Sequence, residues 1–181
     1  MEGGSPTEGL TPKLIASTYG TAIYQGDPVA RLATGYIARA SVTTTAVAGI
    51  MYNCEYLNTN VGRNIWWYWP ASGAGSNGNV GITDDPDALF LVQSTGSAVA
   101  FADIGANIGF AVGTGNSSTG ISAYTVDNTT IGTSSALPFR IIGLYSQFAP
   151  PGTAGTDDTY SFNWVVVSLN DTARSAGTTG V

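Results

Sequence analysis

Apolar and polar positions alternate over short stretches of this chain, and turn residues interrupt them every few positions. No segment sustains a helical period, so the pattern predicts strands rather than helices. Ile15 to Tyr24 alternates weakly, and Gln25-Gly26-Asp27-Pro28 is a turn. Val29 to Ala33 and Gly35 to Ala40 read as a hairpin about Thr34-Gly35. In Val47 to Leu57 a regular period of two puts Ile50, Tyr52, Cys54 and Tyr56 on one face, with Asn53 and Glu55 on the other. Arg63 to Trp69 follows and stops at Pro70.

Further along, Ala71 to Gly81 reads as a Gly/Ser/Asn loop, and Asp84-Asp85-Pro86-Asp87 as a second turn. Ala88 to Gln93, Val99 to Asp103 and Ile121 to Val126 are short strand candidates. Asn107 to Thr119 is glycine-rich with small apolar insertions. Leu137 to Gln147 and Tyr160 to Leu169 are the best late strands. In the last, Tyr160, Phe162, Trp164 and Val166 point one way, and Val165, Val167 and Leu169 the other. Both faces are apolar, which predicts a central strand.

The organisation predicted is one all-β domain over residues 14–171, a sandwich or closed barrel, with a jelly-roll-like order among the options. Residues 1–13 and 172–181 are polar and read as an extended N-terminal arm and an extended C-terminal tail. By composition such arms order only by lying on something else, which points to a partner or an assembly.

Composition narrows the chemistry. Charged residues make up 10% of the 181, against roughly 25% in ordinary soluble domains. The net charge is −6, with 6 scattered basic residues, so neither a nucleic acid nor an anionic membrane is an expected partner. The polar, acidic start does not read as a signal peptide, and no apolar run approaches the roughly 18 residues of a membrane helix. There is no histidine, which removes the commonest general base and metal ligand and excludes Ser-His-Asp and Cys-His catalysis within one chain. The single cysteine, Cys54, excludes intrachain disulfides and sites built on several cysteines.

The remaining motifs favour structure over catalysis. Asp84, Asp85 and Asp87 could offer oxygens to calcium, but they lack an EF-hand's spacing and lead straight into a strand, where Asp-Pro turns are ordinary. Glu55 with an Asp is a weak candidate pair for glycoside hydrolysis. Gly113-Thr114-Gly115 begins like a dinucleotide fingerprint but lacks the third glycine and a βαβ setting. Cys54, between Tyr52 and Tyr56, reads as a buried inert thiol. No catalytic residue, cofactor or metal is expected, and the chain does not read as an enzyme.

The run Ile65-Trp66-Trp67-Tyr68-Trp69 stands apart. On a strand, Trp67 and Trp69 face one side, and Trp66 and Tyr68 the other. One pair can fill a core, and the other then lies at a subunit contact, in a trimer first and a dimer second. The alternative is a stacked aromatic platform for sugar rings, as in a glycan-binding module. The candidate interface residues are therefore Pro6, Leu10 and Lys13 in the arm, with Trp66 and Tyr68.

Six segments, in order, carry a resemblance: Gly26-Asp27-Pro28-Val29, Gly49 to Tyr56, Tyr68-Trp69-Pro70-Ala71, Asp84 to Phe90 with Val92-Gln93, Asp103 to Asn107, and Leu137 to Leu144. Together they resemble capsid decoration, or cement, proteins of tailed bacteriophages, across residues 26–144. The resemblance implies a non-enzymatic virion protein, made in the host bacterial cytoplasm, on the outer surface of an icosahedral head. Its implied partner is the major capsid protein, whose subunits it would bridge against the pressure of packaged DNA. No chemical role for any of these segments is implied.

Overall fold

A computed structural model describes residues 9–71, 75–145, 160–170, 177 and 179–181, with the backbone alone for 64–67 and 77. Among the described residues there is no α-helix; one 3-10 turn spans Phe101–Asp103. The described residues form eleven strands in two antiparallel sheets packed together, so the fold is all-β and a sandwich rather than a closed barrel. The chain completes the first sheet before starting the second, an order that departs from the jelly-roll option, whose Greek keys exchange strands between sheets.

The first sheet holds β1 (Thr11–Ile15), β2 (Pro28–Arg31), β3 (Ile37–Arg39), β4 (Gly49–Asn58), β5 (Arg63–Trp67) and β6 (Gly75–Thr83). Its order is β1-β6-β4-β2-β3, and β5 pairs with the second half of β4 on the edge where β2 pairs with the first. The second holds β7 (Leu89–Gln93), β8 (Asn107–Ala111), β9 (Thr125–Gly132), β10 (Phe139–Leu144) and β11 (Trp164–Leu169), in the order β7-β11-β10-β8-β9. As predicted, β11 is central, between β7 and β10.

Each sheet curls over its own apolar core. Ile23, Met51, Trp69, Val80 and Ile82 fill the first; Ile108, Phe110, Ile141, Val165 and Val167 fill the second. Ala40 and Val47, from the β3–β4 connection, are buried in the second core, and Ile50 of β4 packs against it. These residues join the two sheets.

Several local expectations are corrected. Residues 75–83 form β6, a full strand between β1 and β4, where a loop was expected. The glycines there make room for neighbours rather than breaking the strand. A Cβ on Gly78 would lie 2.8 Å from Trp69 Cε3 and 3.1 Å from Ile15 Cβ, and one on Gly75 would lie 3.0 Å from Tyr56. Within the glycine-rich stretch, Asn107–Ala111 is a strand, with Asn107, Ile108 and Phe110 buried.

The Val99–Asp103 strand candidate is instead a turn. Asp103 accepts from the Ala100 amide at 2.8 Å, and the Val99 amide donates to the distant Asn163 at 3.0 Å, so side chains, one local and one across the fold, replace a ladder. On β4 the regular alternation fails: the pairing with β6 shifts at Tyr52, turning both Tyr52 and Asn53 outward while Met51, Cys54 and Tyr56 point in.

The domain edges also differ from the expected arms. Thr11–Ile15 pairs with β6, Lys13 standing opposite Val80, so residues 11–13 belong to the sheet rather than to an arm. At the other end, Val181 N donates to Gly105 O at 3.1 Å and Gly180 N to Thr133 O at 3.2 Å, so the tail's end lies on its own fold.

Candidate interaction surface

Burial along β7 and β11 defines an open apolar face. Phe90 and Val92 turn toward the second core, and Leu89 and Leu91 turn outward, 61% and 51% exposed. On β11 Val165, Val167 and Leu169 are buried, while Trp164 is 43% exposed and Val166 half-buried. The register sets Val166 opposite Leu91 and Trp164 opposite Gln93. Ile142 of β10, at a register shift, and Phe162, just before β11, are exposed as well. A central strand with two apolar faces has thus covered only one of them, and exposed apolar patches of this kind mark interaction sites.

Beside this face a cleft of about 620 Å³ opens between β7 and the segment leading into β9, walled on the first-sheet side by Gln25, Gly26 and Ile50. Its lining includes Leu89, Leu91 and Tyr124 and no charged side chain. A parallel bridge between Ser94 and Val126 closes one end.

Next to the cleft lies a buried polar knot that ties the sheets together. Arg39 Nε is 3.1 Å from Asp27 Oδ2, which also accepts from the Tyr24 amide at 2.9 Å. The Arg39 guanidinium donates to the Gly113 carbonyl and sits 4.8 Å from the centre of the Tyr124 ring. Tyr124 in turn donates to the Ala40 carbonyl. Burial raises the Asp27 carboxyl, while Ser122, the Tyr24 amide and Arg39 pull it back. Burial also pushes the Tyr124 hydroxyl up to about 12. The ion pair, the cation–π contact and the carbonyl acceptors hold the knot together, although among the described residues Asp27 Oδ1 and Arg39 Nε are buried without a hydrogen-bond partner; its contacts are structural.

The residues singled out from the sequence scatter. Trp69 is fully buried, edge-on to Tyr56, with its indole donating to Tyr19 O at 2.9 Å, so it is part of the core and of no sugar platform. Tyr68 is half-buried, stacked on Tyr24 at 5.0 Å and packed against the same core. The neighbours Tyr68 and Trp69 thus both pack inward, because the ladder ends at Trp67 and Trp69 bridges to Ile23 instead. Trp66 pairs through its backbone with Glu55, and its side chain and Pro6 lie outside the described residues. Leu10 sits over Gly81, and Lys13 is half-buried on β1.

Asp84 is buried and accepts from Thr11 Oγ1 of β1 at 2.7 Å, a tertiary contact, while Asp85 caps the Asp87 amide at 2.9 Å, which is turn chemistry. Among the described residues no group of three or more His, Cys, Asp or Glu side chains could hold a metal. Cys54 is buried, and that burial, with the charge of Glu55, pushes its thiol up to about 12. No described helix is long and apolar enough to cross a membrane. The two apolar faces of β11 were readable in the sequence; the open face of β7 beside it was not.

No protein-family model, curated protein or solved structure matches the chain.

Proposed function

We propose that this chain is a structural binding protein of a bacteriophage head, a decoration protein that seats on the outer surface of the assembled capsid and bridges major capsid subunits. The observation that carries the reading is the open apolar face of β7 and β11, with Leu89, Leu91 and Trp164 exposed on the sheet and Phe162 exposed just before it. A face of this kind is suited to binding another protein. The six segments that resemble decoration proteins supply scaffold for it: Asp27 holds the knot between the sheets, Gly49 to Tyr56 runs along β4, and Leu137 to Leu144 carries β10.

Such a protein acts by mass action. It binds the assembled lattice in preference to free capsid subunits and stabilises that state by its own binding free energy, multiplied over many copies. Self-association, as a trimer first, belongs to the same proposal. The test is cosedimentation of the purified chain with heads assembled from the major capsid protein of the same genome. Saturable binding to heads, weak binding to free subunits and a raised disruption temperature of the loaded heads are expected. Equal binding to heads and to free subunits, or none to either, would overturn the reading.

A further inference from the structure

The backbone of β7 carries a second binding element. In an antiparallel pair, residues alternate between those that hydrogen-bond to the partner strand and those whose N–H and C=O point the other way. Ser94 N donates to Asn163 O at 2.9 Å, which fixes the phase: Ser94, Val92 and Phe90 address β11. On the far side of β11, Tyr145 N donates to Trp164 O at 3.0 Å, consistent with the same phase. The N–H and C=O groups of Leu89, Leu91 and Gln93 therefore point away from β11, into the cleft. Thr95 N, next in that series, donates to Val126 O at 2.9 Å where the cleft closes. Among the described residues no strand pairs with this edge of β7 before that bridge.

The opposite wall does not compete for these groups. Ser122 N donates to Gln25 O at 2.9 Å and Tyr124 N to Ser122 Oγ at 3.0 Å, so that side is already engaged. The gap thus presents a one-sided row of unpaired backbone groups in an apolar, uncharged cleft of about 620 Å³.

We propose that this cleft takes an extended segment of another polypeptide, which adds to β7 as an antiparallel strand and closes the curl of the second sheet. The row of backbone donors and acceptors selects a strand over an aliphatic chain, which would leave it unpaired. A segment antiparallel to β7 presents alternate side chains inward toward Phe90 and Val92, so those positions are apolar, and the uncharged lining calls for uncharged side chains there. About five residues cover the strand. The inference does not depend on the capsid: it concerns a peptide and the isolated chain.

The test uses the full chain and a capped Thr-Val-Thr-Val-Thr peptide, read by residue-resolved amide hydrogen exchange. The expected result is saturable binding with exchange at Leu89, Leu91 and Gln93 slowed by at least about tenfold, the order of one added hydrogen bond to each. Phe90 and Val92, already bonded to β11, should change little. The same peptide N-methylated at the residues facing β7 should lose the effect. Leu91→Pro removes one edge donor without touching a β11 bond and should weaken binding about fivefold or more. Three results would overturn the proposal: protection elsewhere, equal binding by the N-methylated peptide or by dodecanoate, or protection that rises with chain concentration in the absence of peptide, which would assign the edge to a second copy. The N-methylated ligand keeps the test decisive even where Leu91→Pro does not fold.

Discussion

Asp27 and Arg39 form an ion pair at 3.1 Å between the turn before β2 and the end of β3, with Asp27 fully buried. Through Arg39 the pair reaches Gly113 and Tyr124, so one guanidinium adds a polar link to the apolar contacts that join the sheets. Breaking a buried pair leaves an uncompensated charge, which costs about 3–5 kcal/mol. Asp27→Ala and Arg39→Ala should each lose that order of stability in urea melts. The double variant Asp27→Ala/Arg39→Met should lose clearly less than the sum, because no orphan charge remains. Additive losses would show that the two side chains act independently.

The Trp69 ring and the glycines of β6 were fitted to each other. Trp69→Ala should cost about 3–5 kcal/mol as a core cavity. Gly78→Ala should cost about 1–3 kcal/mol, since its methyl would enter the ring's space against Ile15. Combined with Trp69→Phe, which trims the ring beside Gly78, the Gly78→Ala penalty should shrink. An unchanged penalty in thermal melts would place the strain in the β6 backbone instead.

Alkaline pH should destabilise the fold. The Cys54 thiol rises from 9.0 to about 12, and the Tyr124 hydroxyl from 10.0 to about 12, both chiefly through burial. Between about pH 9 and 12 the unfolded chain therefore binds fewer protons than the folded one, so stability falls as pH rises. By pH 11 Cys54 alone accounts for a loss on the order of 3 kcal/mol, and Cys54→Ala should flatten the slope of melting temperature against pH. In the native chain at neutral pH the thiol should not react with a thiol reagent until the chain unfolds.

Phe162 adopts φ +60 and is exposed, a left-handed conformation unfavourable to a bulky residue. Phe162→Gly should raise stability by about 1 kcal/mol in denaturant melts, and on the proposed function should weaken head binding. Stabilisation with undiminished binding would remove Phe162 from the interaction surface.

On the open face, Leu89→Lys and Leu91→Lys should leave the melting temperature nearly unchanged, since surface substitutions stay within about 0.5 kcal/mol. The same changes should lower head binding in the cosedimentation assay and reduce aggregation at a free sheet edge.

The all-β class, the β2–β3 hairpin, the strand β4 and the central place of β11 were legible in the chain, because a period of two and turn residues are local properties. The burial of Cys54 and the turn role of Asp85 were legible for the same reason, whereas the bond that holds Asp84 comes from Thr11, far away in sequence. Tertiary structure alone decided the rest. Gly75, Gly78 and Gly81 read as a loop until Trp69, Tyr56 and Leu10 are set against them; glycine is disfavoured in a strand unless something large must approach the backbone. Tyr52 left its expected face because of a bulge, and a bulge depends on the partner strand. Tyr68 and Trp69 both turned inward because the chain leaves the β4 ladder between Trp67 and Trp69, a choice made by the bridge to Ile23. Two apolar faces on β11 told of a central strand, but which face is covered depends on how far a sheet curls and what packs across it, and no local pattern records that.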